Sequence, residues 1–463
     1  MPETVEVPTA PGRLPLVGHL FKLLGNPMPF LESLRAQGDI VRVFFGPLEV
    51  YVILRPQLFH EVLVRKSGAF RKGRLLDKVR SFLGNGLLTS EGEFHHRQRR
   101  LMQPAFHRRR IAEYVDLMRR NAEGATADWR PGQAVDLQEL FDDLSLRNVS
   151  EALFSSELGQ ASHDEVLRWL RVVMRGAAIR TLAPTDLLQK LPTPGNRRFD
   201  EANTRFRRVV DEVIRTYRAD DVDRGDLLSM VLAARDEETG RGMTDAQARD
   251  ELQTLLLAGA ETTASAMGSL FHEVSRHPAV ARRLHGELDE VLGGRPLRYE
   301  DIARLEYTRC VVDEALRLAT PVWMTMRRTA TEVTLGEARL PAGAEILLSF
   351  PVVHRDPDAY PDPLAFDPDR WLRRGPRDLP PGAYLPFAAG NRKCIGDHFA
   401  WMELLVTMAV IGSRWRLEPA PGHRPKRIYR TVTRMSRLTM TAVPRAQTGL
   451  CLPSGAVQNP PPT

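Results

Sequence analysis

Cysteine is scarce in this chain. Its 463 residues include three cysteines, Cys310, Cys394 and Cys451, which excludes a disulfide framework and favours a reducing compartment. Long apolar runs are also missing, because no stretch reaches the roughly 18 residues that a membrane-spanning helix needs. The first twenty residues lack a basic segment followed by an apolar core, so we expect no secretory signal. These absences predict a cytoplasmic protein with no membrane span.

Lysine is scarce relative to arginine. Seven of the 65 basic residues are lysines, and the 58 acidic residues leave a net charge of +7. Nucleic-acid binding requires a clustered basic face or a recognised motif, and the sequence has neither. No Gly-x-Gly-x-x-Gly follows a strand pattern, so we expect no dinucleotide-binding half. We therefore predict no nucleic-acid partner and no fused reductase.

The order of the patterns predicts one large, mainly α domain with small β-sheets. Two β-type runs, Ile40–Phe45 and Val50–Leu54, lie on either side of a Gly-Pro pair and predict a hairpin near the start. Helical patterns dominate from about residue 93 to residue 278, and a second group of short strands follows between 333 and 350. Nothing in these patterns indicates a linker between two compact halves.

The two ends of the chain are expected to be disordered. Residues 1–10 are rich in Pro, Glu and Thr, and residues 446–463 are low in apolar content. Such segments bury too little apolar surface to offset the entropy of ordering. The folded domain is accordingly predicted over residues 11–445.

One cysteine lies in a loop suited to close approach by a flat group. The decapeptide Phe387-Ala-Ala-Gly-Asn-Arg392-Lys-Cys394-Ile-Gly396 places glycines on both sides of the cysteine and two cations next to it. Glycines let a backbone turn tightly. The two cations, together with the helix that follows, predict a stabilised thiolate. Cys394 is therefore interpreted as a chemically active cysteine rather than as a core residue.

This decapeptide matches Phe-x-x-Gly-x-Arg-x-Cys-x-Gly at every fixed position and resembles the haem-binding loop of the cytochrome P-450 family. The resemblance extends over nearly the whole chain and implies the fold of that family, a single haem-thiolate domain with a long central helix. It implies haem b with Cys394 as the axial ligand of the iron. It also implies that Arg392 pairs with a haem propionate and that Phe387 packs beside the thiolate.

A second segment predicts one helix of about 34 residues, from Thr244 to His277. Thr244 and Gln247 fit a capping box at its start, and Pro278 ends it. A helix of this length in a globular protein must cross the whole core. Polar residues in its middle therefore face whatever the core contains.

The middle of this helix reads Ala258-Gly-Ala-Glu261-Thr262-Thr. From the residues alone, the acid and the hydroxyl are either a polar pair satisfied by neighbours or a functional pair. Thr262 is expected to bond back to the carbonyl of Ala258 and to loosen the helix there. The resemblance implies the second interpretation, in which Glu261 and Thr262 are the catalytic acid–alcohol pair that delivers protons during oxygen activation.

Three charged residues are implied to form a structural network. Glu314 and Arg317 lie three residues apart on one helix face, a spacing that is weak support by itself. It resembles the Glu-x-x-Arg of the family, which Arg370 would complete. The resemblance implies a buried network that braces the cysteine loop, and removing one partner of such a network is costly.

Further haem contacts are implied in two basic segments. His95 and Arg99 match the spacing of the family helix that contacts the propionates, although His96 and Arg100 have the same spacing. Strand alternation sends one of two adjacent arginines inward, and we expect it to be Arg327. His95, Arg99 and Arg327 are thus the expected additional cofactor-binding residues.

The resemblance implies a monooxygenase that inserts one oxygen atom from O₂ into a C–H bond of an apolar small molecule. Because the chain is similar to bacterial terpene oxidisers of antibiotic pathways, a terpene is the first expected substrate. Fatty acid, steroid and macrolide substrates stay open, as do non-oxygenating haem chemistry and a haem-binding sensor or carrier. The pocket is expected to be lined by apolar side chains, namely Leu76, Phe82, Leu88, Ala258, Val322 and Trp323.

Electrons are expected from NAD(P)H through a ferredoxin and its ferredoxin reductase, as in soluble bacterial members of the family. Basic residues near the cysteine loop could steer an acidic ferredoxin, namely Arg97, Arg108, Arg109, Arg110 and Lys393. The enzyme is expected to act as a monomer.

Overall fold

The structure is a computed structural model that describes residues 6–154, 160–182, 191–220 and 224–445. Helices make up most of the described part. In chain order they are α1 (Leu20–Leu23), α2 (Met28–Ser33), α3 (Pro56–His60), α4 (Arg74–Leu83), α5 (Gly92–Met102), α6 (Arg108–Ala125), α7 (Leu137–Leu153), α8 (Gln160–Leu182), α9 (Pro194–Asp220), α10 (Leu227–Ala233), α11 (Asp245–Arg276), α12 (Pro278–Leu292), α13 (Glu306–Leu318), α14 (Phe350–His354), α15 (Arg370–Arg373) and α16 (Asp397–Arg414).

The strands are short and form small sheets at the edge of the helical body. They are β1 (Ile40–Phe45), β2 (Leu48–Ile53), β3 (Phe70–Lys72), β4 (Ala134–Asp136), β5 (Thr325–Thr329), β6 (Val333–Leu335), β7 (Ala338–Leu340), β8 (Glu345–Leu348), β9 (Trp415–Pro419), β10 (Arg427–Tyr429), β11 (Thr433–Met435) and β12 (Thr439–Pro444). The largest sheet has the order β1-β2-β8-β5-β3. The mainly α fold with small sheets is confirmed.

The expected hairpin forms between β1 and β2. The strands are antiparallel, with Phe45 opposite Leu48, and Gly46 has a φ of +65°. A glycine adopts this left-handed conformation without the steric cost that a side chain would add. β2 then pairs with β8 in parallel, which joins the start of the chain to its C-terminal third.

Residues 6–10, which belong to the segment expected to be disordered, lie along the edge of β1 in the structure. Thr9 forms a parallel bridge with Arg42 of β1, and Val7 and Ala10 are buried. The edge of β1 offers backbone groups that this short segment can pair with, which a reading of local composition does not show. Residues 1–5 and 446–463 lie outside the described part.

The predicted central helix is confirmed as α11, with 32 residues and a length of about 48 Å. Thr244 and Gln247 form the capping box at its start, and His277 caps its end. α7, α9 and α16 all pack on α11, so it crosses the core as expected. Within the described ranges, no helix combines the length and the apolarity that crossing a bilayer requires.

Candidate functional site

The cysteine loop closes on itself directly before α16. The N–H of Cys394 donates to the carbonyl of Phe387 at 3.0 Å, and Gly390 turns the chain with a φ of +73°. A Cβ at Gly390 would lie 2.0 Å from the carbonyl oxygen of Leu63, so only glycine fits there. Cys394 itself is solvent-accessible. The loop therefore presents the sulfur while its backbone is fixed from behind.

Opposing effects act on the thiol of Cys394. Desolvation by the surrounding protein atoms raises its pKa to about 11, although the side chain stays accessible to solvent, whereas the charges of Arg99 and Lys393 lower the pKa and favour the thiolate. Lys393 is paired with Asp397, and Arg99 donates to the carbonyl of Lys393 at 2.7 Å. These cations are thus partly neutralised or directed at the backbone. Cys394 is the residue that would hold a metal as a thiolate, since a coordinating thiol is deprotonated.

A buried cationic cluster lies near this loop, formed by Lys72, His95, Arg327 and Arg392 around the single carboxylate of Glu91. Burial and repulsion from Arg392 lower the pKa of Lys72 to about 6. Burial and repulsion from Lys72 lower the pKa of His95 to about 4. Burial, followed by repulsion from Arg392, also lowers the pKa of Arg327 to about 10. The attraction of Glu91 therefore does not offset the burial and mutual repulsion of the protonated groups.

The carboxylate of Glu91 neutralises only part of the positive charge of the cationic cluster. It accepts a bond from the side chain of Arg392 and one from the backbone N–H of Lys72 at 2.5 Å. In the described part of the chain, Nη1 of Arg392 is buried without a hydrogen-bond partner. A buried cation with a free donor requires an anion. The two carboxylates of haem fit this requirement, so the cluster suits the propionate end of the cofactor.

The two histidine–arginine pairs with the same spacing on α5, His95 with Arg99 and His96 with Arg100, lie in different surroundings. His95 is buried, with its Nδ1 3.3 Å from Oγ of Ser90, whereas His96 is only partly buried. Arg99 reaches the cysteine loop rather than the cationic cluster, and Arg100 points outward to Asp236. His95 also places its Nε2 3.5 Å from the carbonyl oxygen of Asn391, so His95 and Arg99 both lie against the cysteine loop.

Strand β5 separates its two arginines as the alternation predicts. Arg327 is buried in the cationic cluster, whereas Arg328 pairs with Glu345 and Asp77. Lys72 lies opposite Arg327 in the β3–β5 ladder. Sequence reasoning missed Lys72 and Glu91, because only this pairing and the return of the chain into α5 bring them beside Arg392.

The polar residues in the middle of α11 face two different directions. Thr262 donates to the carbonyl of Ala258 at 2.6 Å, as expected. Glu261 instead accepts a bond from Thr431 at 3.2 Å, and burial raises the pKa of its carboxyl group above the usual value. No bond joins the side chains of Glu261 and Thr262 in this part of the structure.

Thr263 belongs to a separate polar network behind α11. Its hydroxyl donates to the carbonyl of Gly259 at 2.6 Å and contacts Ser145 of α7. Nearby, Asn148 donates to Glu403 of α16 at 3.0 Å. A Cβ at Gly259 would lie 2.8 Å from a methyl of Val149, so α7 and α11 touch closely here. Thr263 is therefore part of the packing between helices.

The structure brings Glu314, Arg317 and Arg370 together in a buried network. Glu314 accepts bonds from Arg317 at 2.8 Å and from Arg370 at 3.0 Å. Nε1 of Trp371 donates to the same carboxylate at 3.0 Å. The side chains of Glu314 and Arg317 are both fully buried.

Arg317 uses all five of its N–H donors. Two go to Glu314, and three go to the carbonyls of His354, Pro363 and Ala365 at 2.7–3.0 Å. The imidazole of His354 in turn accepts from the N–H of Leu385 at 2.8 Å, just before the cysteine loop. The network is thus connected to that loop through His354, a residue that the sequence patterns did not indicate.

The expected pocket residues divide into two groups. Ala258, Leu88 and Val322 are exposed, and Leu76 is partly buried. Phe82 and Trp323 are buried. Phe82 packs edge-on against Phe199 with ring centroids 6.0 Å apart, and the indole of Trp323 donates to the carbonyl of Arg430 at 2.7 Å. The two aromatic residues are thus held by core neighbours, whereas the other four keep accessible surface.

The basic residues expected to face a ferredoxin are mostly engaged. Arg97 donates to the carbonyls of Arg241 and Gly242, Arg110 pairs with Glu113, and Lys393 pairs with Asp397. The side chains of Arg108 and Arg109 lie outside the described residues. The described members of this set therefore already have partners within the protein, which the sequence did not show.

An accessible cysteine in a tight loop, a buried cationic cluster beside it and a helix that crosses the core are together typical of a haem-thiolate protein. The family model for cytochrome P-450 matches residues 8–443, which is most of the chain. The chain therefore belongs to the cytochrome P-450 family and is a monooxygenase of that family, with a haem held through a cysteine thiolate.

Relatives with assigned activities cover nearly the whole chain. A cyclooctat-9-en-7-ol 5-monooxygenase of Streptomyces melanosporofaciens is 46% identical over 414 residues, 89% of this chain and 90% of the relative. A pentalenene oxygenase of Streptomyces avermitilis is 38% identical over 438 residues, 94% of this chain and 97% of the relative. The crystal structure of the cytochrome P450DA haem domain is similar with a TM-score of 0.86 and 25% identity, and the match covers 96% of this chain and 99% of that chain.

Proposed function

We propose that this monooxygenase oxidises a C–H bond of an apolar terpene in secondary metabolism. The observation that carries the proposal is the accessibility of four of the expected pocket residues, namely Leu76, Leu88, Ala258 and Val322, of which Leu76 is partly buried. All four are apolar and offer no cation to a carboxylate, which favours a hydrocarbon over a fatty acid. The names of the two Streptomyces relatives support the same substrate class.

In this proposal each part of the site has a defined role. Cys394 would ligate the haem iron, and Phe387 accepts the hydrogen bond that closes the loop around it. Lys72, Arg327 and Arg392, with the neutral imidazole of His95 beside them, would hold the propionates. When bound, a haem thiolate supplies oxygen activation, because the thiolate donates electron density that favours O–O cleavage.

Glu261 and Thr262 are proposed to manage protons on the α11 side of the site. Thr262 holds a hydroxyl at the point where the helix is weakened by Gly259. Glu261 is buried with a raised pKa, so its carboxyl group can hold a proton near neutral pH more readily than an exposed one. Because no direct bond joins the two side chains, a transfer between them requires a rotation or a bridging water.

A substrate screen by difference spectroscopy tests the proposed substrate class. We expect cyclic terpene hydrocarbons to shift the haem spectrum, and product analysis with a surrogate ferredoxin system to show one added oxygen. Fatty acids of similar length form the comparison set, since they require a cation for the carboxylate. A spectral shift and product with fatty acids alone would reject the terpene proposal.

Cys394→Ala is expected to abolish the thiolate signature. The wild-type protein should carry b-type haem, and its reduced CO complex should absorb at the wavelength specific to a thiolate ligand. Cys310→Ala is the matched control, because Cys310 is buried in a separate cluster with Tyr360 and Trp371 and should leave the spectrum unchanged. Retention of the thiolate band in Cys394→Ala would disprove the ligand assignment.

We propose that electrons come from NAD(P)H through a ferredoxin and its reductase. First-electron reduction should slow as salt rises, because the screening length falls from about 30 Å at 0.01 M to about 8 Å at 0.15 M. Reversing Arg109 and Arg110 on α6 together should slow reduction severalfold at low salt without changing substrate binding. Stopped-flow reduction measures this.

Arg205 on α9 provides the control for this experiment, because α9 packs on α8 and α11 rather than on the cysteine loop. Its charge reversal breaks an exposed pair with Glu201 and a contact with the ring of Trp169, both on this face, and should leave the reduction rate unchanged. Equal slowing in both reversals would place the docking surface elsewhere.

We also propose that the enzyme acts as a cytoplasmic monomer. Its cysteines are few, and within the described part Cys310 and Cys394 are both free thiols, which suits a reducing compartment. Light scattering of the haem-loaded protein should give the mass of one chain.

A further inference from the structure

The segment from Gly84 to Ser90 lies in direct contact with the central helix. A Cβ at Gly84 would lie 2.3 Å from the carboxylate of Asp250, and one at Gly86 would lie 2.4 Å from Oγ1 of Thr254. Gly84 also has a φ of +79°. Side chains at these two positions would push the segment away from α11. Glycine at both positions therefore lets the backbone of the segment contact the helix directly.

Two consecutive carboxylates of α11 bond the backbone of this segment. Asp250 accepts from the N–H of Asn85 at 2.8 Å, and Glu251 accepts from the N–H of Leu87 at 2.7 Å. Glu251 is fully buried, and burial raises its pKa to about 8. A buried carboxyl group has few alternative partners, so the bond to Leu87 fixes the segment firmly on the helix side.

Lys72 bonds the same segment from the opposite side. Its Nζ donates to the carbonyl of Leu87 at 2.9 Å and to the carbonyl of Ser90 at 2.6 Å. Leu87 is therefore held at its N–H by Glu251 and at its carbonyl by Lys72. Lys72 is also a member of the cationic cluster that includes Arg392, so one side chain connects the proposed propionate site to this segment.

The hydrogen bonds of Leu87 to Glu251 and Lys72 determine which side chains the segment exposes. Leu87 is buried in an apolar cluster that also includes Leu255 of α11 and Ile395, the residue after Cys394. Leu88 remains 36% exposed. Lys72 donates to the carbonyl of the peptide group that joins Leu87 to Leu88. A shift of this hydrogen bond therefore moves Leu88.

We propose that Lys72 is a positioning residue that holds the Gly84–Ser90 segment against the central helix and thereby sets the wall that Leu88 presents to an apolar substrate. The inference rests on the proposed haem site, since the carboxylates of a bound haem would keep Lys72 charged beside Arg392 and Arg327. The cofactor and the substrate wall are thus linked through one side chain.

Two azoles of different size test this role in the haem-loaded enzyme. Imidazole would bind through the iron alone. The phenyl ring of 4-phenylimidazole would also contact the walls of the pocket. In Lys72→Met we expect the Kd of 4-phenylimidazole to rise about tenfold, the range for a lost pocket contact, while the Kd of imidazole changes by less than about twofold. Spectral titration measures both constants on the loaded fraction of the protein.

Two further variants make the comparison specific. Lys66 also donates from Nζ to a backbone carbonyl, that of Thr334 at 2.7 Å, but it is exposed. Lys66→Met should leave both constants unchanged. Glu251→Leu releases the same segment from the helix side without removing a cation, so it should reproduce the selective loss, and Glu251→Gln, which keeps an acceptor oxygen, should restore most of it.

The other possible results would contradict the proposed role of Lys72. Equal weakening of both azoles in Lys72→Met would mean that the lysine acts on the cofactor alone, and unchanged constants would mean that the segment does not depend on it. If Lys72→Met fails to load haem, an unchanged ratio of the two constants in Glu251→Leu overturns the inference. An absence of any imidazole spectrum in the wild type would instead reject the proposed function, and this inference with it.

Discussion

Arg317→Leu is expected to yield protein with little haem and a free energy of unfolding lower by about 3–5 kcal/mol. The substitution leaves the buried carboxylate of Glu314 with fewer donors and removes the partners of three carbonyls. One of these carbonyls belongs to His354, whose imidazole holds Leu385 at the start of the cysteine loop. Urea unfolding and the haem-to-protein absorbance ratio measure the two effects.

Arg373 offers a matched control for this prediction. It pairs with Asp367 through a side chain that is 63% exposed, and exposed pairs contribute about 0–1 kcal/mol. Arg373→Leu should therefore lower stability by less than about 1 kcal/mol and keep full haem content. Arg317→Lys should fall between the two, because lysine keeps the charge but has fewer donors. If Arg317→Leu behaves like Arg373→Leu, the bracing role is wrong.

Thr262→Val is expected to uncouple electron consumption from product formation. The valine keeps the shape of the side chain, so substrate binding and reduction should continue, but the hydroxyl that can pass a proton is lost. General acid–base assistance is typically worth about 10²–10⁴ in rate. Product per NAD(P)H should fall severalfold while peroxide rises. Paired measurement of NAD(P)H, product and peroxide tests this.

The controls for Thr262 follow from the two faces of α11. Thr262→Ser keeps the hydroxyl and should stay largely coupled. Thr263 points about 100° away and contacts Ser145 instead, so Thr263→Val should lower stability and remain coupled. Full coupling in Thr262→Val, or equal uncoupling in both valine variants, would refute the assigned role and favour non-oxygenating chemistry.

Local patterns were sufficient for several features of the fold. The capping box of α11, the hairpin of β1 and β2, and the loop around Cys394 all depend on residues within a few positions of one another. The alternation of β5 likewise predicted that Arg327 turns inward. Short-range geometry of this kind is carried by the sequence itself.

Features that depend on distant segments were not predictable. Lys72 joins the cationic cluster only because β3 pairs with β5, and His354 reaches the cysteine loop across 31 positions. The partners of Lys393 and Arg99 are likewise supplied only by the folded chain. The burial of Phe82 and Trp323 was not predictable either, since an apolar side chain has the same pattern in a pocket and in a core.

The division of the apolar residues has a consequence for how this enzyme can acquire new substrates. Leu88 and Val322 are 36% and 38% exposed, whereas Phe82 and Trp323 are each 4% exposed. Truncating a core aromatic costs about 3–5 kcal/mol, while changes at exposed positions usually cost about 0.5 kcal/mol or less. Variation in natural or laboratory evolution can therefore accumulate at positions 88 and 322 without prior stabilising mutations. The buried Phe82 and Trp323 would change only after such stability has been gained.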